Sequence, residues 1–441
     1  MVRITIRKVA WTLVILLFIG LPLAITGLMG LPHVFRNPLV RNVVTTVPGD
    51  VPLQLTATAF PQQFSLLTGA QVSGGNAVEV LANGKGTFPR LWDDLRQARR
   101  VITVQMYYAA PGNVSDTIGK ILAEKARAGV AVYFLIDAFG AKDLTDEYLE
   151  ALTAAGVKIG KFRPLRWYAL DRASHRSHVR GIVIDGAIGY TGGFGLDDKW
   201  LGDGRQPREW RETNTRFSGP AVAQLQSEFI IKWAETTGEL LNGASFLTAH
   251  TDSSSIANSS SAAVVASAPL SGSTTAERLL AVSIAAAQKT LYITNSYFVP
   301  YPDFVTLLSD AAHRGVDVRI LTNGSQSDVK TTWLAGRSRY ESLLRAGVRI
   351  YEYRPGVVHA KTLVADHTFA SIGTMNFDNR SLAYNDEVAL VSFDAGDAAV
   401  MDSLFADDMR LSDEIRLATF QRRSWMTRIL ERAARAVAVF L

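Results

Sequence analysis

The chain has 441 residues, of which 48% are hydrophobic and 20% charged, and it contains no cysteine. This length and balance predict two or three domains with a large core and exclude a wholly disordered or coiled-coil chain. The lack of cysteine excludes disulfides, thiolate metal sites and cysteine nucleophiles, and the formal charge of +5 suits an anionic partner such as a membrane surface.

The first predicted element is a long apolar segment near the N-terminus. From Val9 to Pro32 no residue is charged, and 24 residues rising about 1.5 Å each could cross a hydrocarbon core of about 30 Å. A basic start before the segment would also suit a cleaved signal peptide, but no clear small-x-small cleavage site follows. We expect residues 9–31 to form a retained transmembrane anchor, and the sequence leaves open which membrane face carries the rest of the chain.

From position 76 onward the same order of predicted elements occurs twice. The predicted strands are Val78–Leu81, Val101–Met106 and Val130–Ile136 in the first copy, and Ala263–Val265, Leu291–Thr294 and Val316–Leu321 in the second. Strands that alternate with helices of 10–15 residues indicate α/β units with mixed sheets. We expect two such domains, residues 76–245 and 262–415, that share one active site where they meet. A serine-rich flexible linker is predicted at 246–261.

The last predicted element is a basic helix at residues 416–441. Trp425, Ile429, Ala433 and Val437 recur at four-residue spacing, which indicates an amphipathic helix among arginines. Two interpretations remain open. The helix lies on anionic lipid, or it packs on the second domain with its arginines in water.

One pattern occurs at the same place in both copies. The first copy contains His178-x-Arg180-x4-Asp185, and the second contains His359-x-Lys361-x4-Asp366. On a strand, residues i and i+2 face the same side, so each histidine and its basic partner are expected to project into one site.

Two imidazoles and two fixed cations suit metal-independent phosphodiester transfer. One imidazole would attack phosphorus and become a phosphohistidine, and the other would act as general acid and base. Arg180 and Lys361 would neutralise the non-bridging oxygens, and Asn376 would donate a further hydrogen bond. No metal ion or other cofactor is expected.

Each histidine also needs a carboxylate to orient its second nitrogen. Glu212 lies downstream of His178, and Glu387 lies a comparable distance downstream of His359. These two glutamates are the candidates for the orienting role.

The paired motifs resemble those of the phospholipase D superfamily, and bacterial cardiolipin synthases in particular, over most of the chain from about position 76 to 416. Further similar segments are residues 83–89, 297–300 and 373–381. The resemblance implies a duplicated phospholipase D-type fold, His178 as the nucleophile and His359 as the acid/base. It also implies that Asp185 and Asp366 support the motif without touching phosphate, and that the enzyme is anchored in the membrane by one or two passes. We expect a single-pass protein of the cell inner membrane.

The chain departs from the family pattern at three positions. Arg180 stands in place of the lysine of the first motif, Gly195 in place of the asparagine that follows it, and Thr374 in place of the serine of the second motif. Arginine keeps the charge and adds a planar fork for phosphate oxygens. The missing asparagine has no visible substitute in the sequence.

Three functions use this chemistry. The resemblance favours a membrane-bound phosphatidyltransferase that acts on phosphatidylglycerol. The alternatives are a hydrolase of phospholipids and a membrane-tethered nuclease. A nuclease should interleave basic and aromatic residues along a groove. Here the basic surplus lies at the two ends that suit a membrane, so a phospholipid and a membrane are the expected partners and nucleic acid is not.

Overall fold

The computed structural model describes residues 40–45, 52–166, 173–247 and 259–437. The predicted anchor at 9–31 and most of the predicted linker lie outside these ranges. Within them, no helix is both long enough and apolar enough to cross a membrane.

The first half of the molecule is built from residues 73–237, and a short helix precedes it. The elements are α1 (Phe60–Thr68), β1 (Ser73–Ala82), α2 (Asn83–Gln97), β2 (Val101–Met106), α3 (Asn113–Arg127), β3 (Ala131–Asp137), α4 (Asp146–Ala154), β4 (Lys158–Phe162), β5 (Gly181–Ile184), β6 (Ile188–Gly192), β7 (Trp210–Arg211), β8 (Thr213–Ser218) and α5 (Ala221–Thr237).

The second half is built from residues 260–415 and repeats most of the order of strands and helices of the first half. Two further helices follow it. The elements are β9 (Ser260–Ser267), α6 (Thr275–Ala286), β10 (Thr290–Asn295), α7 (Pro302–His313), β11 (Asp317–Asn323), α8 (Lys330–Arg345), β12 (Arg349–Tyr353), β13 (Val357–Val358), β14 (Lys361–Ala365), β15 (Phe369–Gly373), α9 (Asn379–Ala383), β16 (Glu387–Ser392), α10 (Ala395–Arg410), β17 (Ser412–Ile415), α11 (Leu417–Phe420) and α12 (Trp425–Val437).

Fifteen of the described strands form one mixed sheet, in the order β17-β12-β11-β10-β14-β15-β16-β9-β1-β8-β6-β5-β2-β3-β4. Read outward from the central pair β9–β1, the two arms repeat the same order of corresponding strands, and β17 is added at one edge. In both arms the strands β2-β3-β4 and β10-β11-β12 run parallel, while the inner strands are antiparallel. This confirms the prediction of duplicated mixed α/β domains and shows that they share one sheet.

Helices cover both faces of each arm, so its central strands are largely buried on both sides. Strand β2 is buried at every position. Ile102 and Val104 face a core that also contains residues of α2 and α3, whereas Val101 faces the opposite side, against Phe229 and Trp233 of α5. Burial on both faces is typical of parallel strands. The two polar side chains of β2 are buried with hydrogen-bond partners, Thr103 with Gln226 and Gln105 with Ser177.

The boundaries of the halves differ from the predicted ones. Helix α1 precedes the first half, yet Phe64 packs against Phe369 and Phe393 of the second half, with ring centres 5.7 and 5.3 Å apart. Strand β1 begins at Ser73, and β9 begins at Ser260, so the last residues of the predicted linker already belong to a strand. The second half therefore begins two residues before position 262, within the serine-rich segment that composition predicted to be linker.

The C-terminal segment folds as two helices where one was predicted. Helix α12 packs on α8 through Ala434 and through Glu431, which is buried and pairs with Arg337 at 3.3 Å. The predicted apolar stripe faces away from this contact, since Trp425 is 69% and Ile429 is 52% exposed. The helix thus packs on the second half, but its apolar side points outward.

Candidate active site

Two short backbone contacts between the halves bring the motifs together. β13 pairs in parallel with β7, and the N–H of His359 donates to the carbonyl oxygen of Arg211 at 2.7 Å. On the other side, the N–H of His178 donates to the carbonyl oxygen of Asp386 at 2.9 Å. Each motif histidine is therefore fixed beside the glutamate of the opposite half.

The histidines and glutamates form two crossed pairs. Nδ1 of His178 lies 2.9 and 3.0 Å from the two carboxylate oxygens of Glu387, and Nδ1 of His359 lies 2.7 Å from Oε2 of Glu212. Sequence order places each glutamate downstream of the histidine in its own half, but the structure exchanges the partners. All four side chains are buried, so one site is built from both halves.

The carboxylates determine which ring nitrogen can react. An ionised carboxylate beside Nδ1 favours the tautomer in which Nδ1–H donates to it, which leaves the lone pair of each imidazole on Nε2. Burial, reinforced by the charges of Arg180 and Lys361, holds the pKa of both His178 and His359 well below the usual range. Both imidazoles are therefore neutral in the empty site. An anionic phosphodiester would offset the nearby positive charges and make protonation easier.

The two glutamates are held by different neighbours. Glu387 accepts the hydroxyl of Thr374, so threonine supplies the hydroxyl expected of serine at this position. Glu212 accepts the N–H of Thr213 at 3.0 Å and the indole N–H of Trp200 at 3.3 Å. Burial raises the pKa of both carboxyl groups, that of Glu387 to about 7.

Arg180 is a buried cation without a full set of partners. Its Nε and Nη1 find no hydrogen-bond acceptor among the described residues. Its guanidinium carbon lies 5.6 Å from the ring centre of Tyr107, and that ring contacts the His178 imidazole at 4.8 Å. Buried N–H groups that lack partners cost free energy unless a ligand completes them. A phosphate bound beside His178 would do so.

Lys361 and Asn376 complete the polar lining. The ammonium of Lys361 donates to the carbonyl oxygen of His359, and burial lowers its pKa to about 7. The carboxamide oxygen of Asn376 is buried and has no partner in the part of the chain that the structure describes. An anion that enters between these groups would raise the pKa of Lys361 and restore its full charge.

The motif aspartates lie at the far ends of their strands. Asp185 accepts the backbone N–H groups of residues 99–101 at 2.7–2.9 Å, and Asp366 accepts those of residues 288–290 at 2.7–2.9 Å. Seven extended residues at about 3.3 Å each would separate each aspartate from its histidine by roughly 23 Å. This geometry agrees with the structural role that the resemblance implies.

Trp200 occupies the space left by the missing asparagine. A Cβ atom at Gly195 would lie 2.7 Å from the Trp200 ring, so a larger residue would displace the indole. The same indole donates to Glu212 and contacts the His359 imidazole at 5.3 Å between ring centres. Where the family has the amide of an asparagine, this chain therefore has the Trp200 indole, which donates a hydrogen bond to Glu212.

Sequence reasoning missed the aromatic lining of the site. Tyr107, Trp200 and Trp210 contact the two imidazoles, but none follows a spacing rule that would select it from the chain's other aromatic residues. One cavity of about 430 Å³ is lined by Gln224 and Glu228 and contains no motif residue. The motif residues therefore lie outside this cavity.

Comparisons with known proteins agree with this geometry. A family model described as cardiolipin synthase, PLD-like domain, matches residues 91–233 and 280–409. The chain is 33% identical to a cardiolipin synthase from Halalkalibacterium halodurans, over 84% of this chain and 73% of that protein. It is 34% identical to cardiolipin synthase 2 from Bacillus anthracis, over 84% and 72%.

A solved structure supports the fold. The phosphatidylserine synthase of Haemophilus influenzae superimposes with a TM-score of 0.65 at 14% identity, over 86% of this chain and 99% of that one. The fold and the paired motifs define an enzyme of the phospholipase D superfamily, of the phosphatidyltransferase class. Within it, the chain belongs to the cardiolipin synthase family, which confirms the resemblance drawn from the motifs.

Proposed function

We propose that this enzyme transfers a phosphatidyl group from one phosphatidylglycerol to the hydroxyl of another, giving cardiolipin and glycerol. The observation that carries the proposal is the pair of crossed histidine–glutamate contacts beside the buried guanidinium of Arg180, whose Nε and Nη1 lack partners among the described residues. Two oriented imidazoles and buried cationic donors for a phosphate are what a two-step phosphodiester transfer needs.

In the first step, Nε2 of His178 attacks phosphorus and a nitrogen–phosphorus bond forms. The bond from phosphorus to the glycerol oxygen breaks, and protonated His359 gives its proton to that oxygen, so glycerol leaves. In the second step, His359 takes the proton of the acceptor hydroxyl, whose oxygen attacks phosphorus and releases His178. Arg180 and Lys361 would stabilise the charge on the non-bridging oxygens in both steps.

Two features support action at a membrane surface. Residues 9–31, which lie outside the described residues, would provide a single-pass anchor in the cell inner membrane. The exposed apolar stripe of α12, which contains Trp425, Ile429 and Val437, would lie on the bilayer. Exposed Arg432 and Arg435 on the same helix suit anionic lipid.

The test uses the purified full chain in mixed micelles with phosphatidylglycerol and excess chelator, followed by mass spectrometry of the lipids. We expect cardiolipin and free glycerol, since Arg180 and Lys361 take the place of a metal ion. Phosphatidic acid as the main product would establish the hydrolase. Unchanged lipid beside degraded single-stranded DNA would establish the nuclease, and activity that returned only with added metal would contradict the two-histidine mechanism.

A further inference from the structure

Lys199 lies in an aromatic cage at the edge of the site. Its ammonium is 3.6 Å from the ring centre of Tyr108, 4.2 Å from that of Trp210 and 4.7 Å from that of Trp200. The two tryptophans also contact the His359 imidazole, at 4.9 and 5.3 Å between ring centres. Lys199 and His359, the candidate acid/base, therefore contact the same two tryptophan rings.

The turn that carries Lys199 is held in place from both sides. Asp198 accepts the N–H of Val114 at 2.9 Å and the amide of Asn113 at 2.7 Å, which ties the turn to the start of α3. Asp197 accepts the backbone N–H of Lys199 itself at 2.9 Å. Because the turn is fixed, the ammonium is presented at one position beside His359.

The ammonium is reachable and only weakly neutralised. Its side chain is 20% exposed, and its ion pair with Asp197 spans 3.7 Å, which is longer than a hydrogen bond. Burial lowers the pKa of Lys199, although the charges of Asp197 and Asp328 oppose this shift. A partly desolvated cation in this position attracts an anion.

The proposed reaction supplies such an anion. Transfer between two phosphatidylglycerols brings two phosphodiesters to the enzyme, and Arg180 and Lys361 face only the one that reacts. Resting on the proposed function, we infer that Lys199, held in position by its aromatic cage, binds the phosphate of the acceptor lipid. The short glycerol headgroup then places the acceptor's terminal hydroxyl at His359, the group that must take its proton.

The glycine at position 195 belongs to this arrangement. The Trp200 ring can form one wall of the cage because no side chain at Gly195 occupies its place. The departure from the family's asparagine thus removes an amide donor and makes room for the binding surface around Lys199.

The experiment compares a charged acceptor with a neutral one in the same reaction. The full chain acts on phosphatidylglycerol micelles that contain ethanol, and the ratio of cardiolipin to phosphatidylethanol is measured. Loss of one charge-assisted contact to the acceptor should lower this ratio about tenfold in Lys199→Gln. Lys199→Arg should restore much of it, and Lys142→Gln, a change at a lysine with a 63% exposed side chain, serves as the matched control.

The outcomes separate the inference from the proposed function. An unchanged ratio in Lys199→Gln overturns the inference and leaves the proposed function standing. An equal loss of both products also overturns it, because Lys199 would then support His359 or the fold and not the acceptor. If the unmodified protein forms neither product, the proposed function fails, and the inference fails with it.

Discussion

Nδ1 of His178 lies 2.9 Å from the carboxylate of Glu387, although the two residues are 209 positions apart and belong to opposite halves of the molecule. His359 and Glu212 form the reciprocal pair at 2.7 Å. Neither half can therefore orient its own histidine. An isolated half would present an imidazole without its carboxylate, so the two halves function only as one unit.

Replacing either glutamate should impair catalysis by changing the protonation of its imidazole. We expect Glu387→Gln and Glu212→Gln each to lower kcat by about 10²- to 10⁴-fold, because the amide no longer favours the Nδ1–H tautomer or stabilises the imidazolium. Turnover of phosphatidylglycerol measures the effect. Glu228→Gln, at a half-buried glutamate that lines the cavity of about 430 Å³, is the control. Equal losses in all three variants would point to damaged folding.

The covalent intermediate is expected on His178. With a lipid labelled at phosphorus, a rapid acid-free quench and peptide mapping should find the label on the peptide that contains His178, and His178→Ala should remove it. Label on the His359 peptide would reverse the two roles. The absence of label from both peptides, with turnover intact, would refute the two-step scheme.

The two buried cations should contribute strongly to the transition state. We expect Arg180→Ala and Lys361→Ala each to lose about 2–4 kcal/mol of transition-state stabilisation, read from kcat/KM. Arg180→Lys should retain most activity, since it keeps the charge although it removes the planar fork. Near-normal rates in both alanine variants would show that these side chains do not face the reacting phosphate.

Substrate affinity should fall as the pH rises. Burial lowers the pKa of Lys361 to about 7 in the empty site, so above that pH the free enzyme loses this positive charge. An anionic phosphodiester binds the protonated form, and KM should therefore rise above pH 7 while binding takes up a proton. Initial rates between pH 6 and 9 would test this, with Lys361→Arg, which does not titrate there, as the comparison. A flat KM in the unmodified enzyme would contradict the prediction.

The outward stripe of α12 should contact lipid. In bilayers that contain brominated phosphatidylglycerol, Trp425 is expected to be quenched, because its 69% exposed ring would enter the acyl region. Trp425→Phe should remove that quenched component from the full-chain fluorescence. Identical quenching in both proteins would place the stripe in water.

The sequence alone was sufficient for features that depend on local pattern. Strand β2 occupies Val101–Met106 as predicted, and the repeated order of strands and helices revealed the duplication. The paired motifs around His178 and His359 also identified the family. These features are visible because periodicity, turn residues and motif spacing act over a few neighbouring positions.

Other features depended on how the halves meet. The shared sheet through β9–β1 places each glutamate beside the opposite histidine and puts α1 in the core of the second half. No spacing along the chain encodes these contacts, because each joins residues that become neighbours only when the two arms close on each other. Local sequence pattern therefore determined the parts and the chemistry of this enzyme, and the tertiary packing decided which residues act on one another.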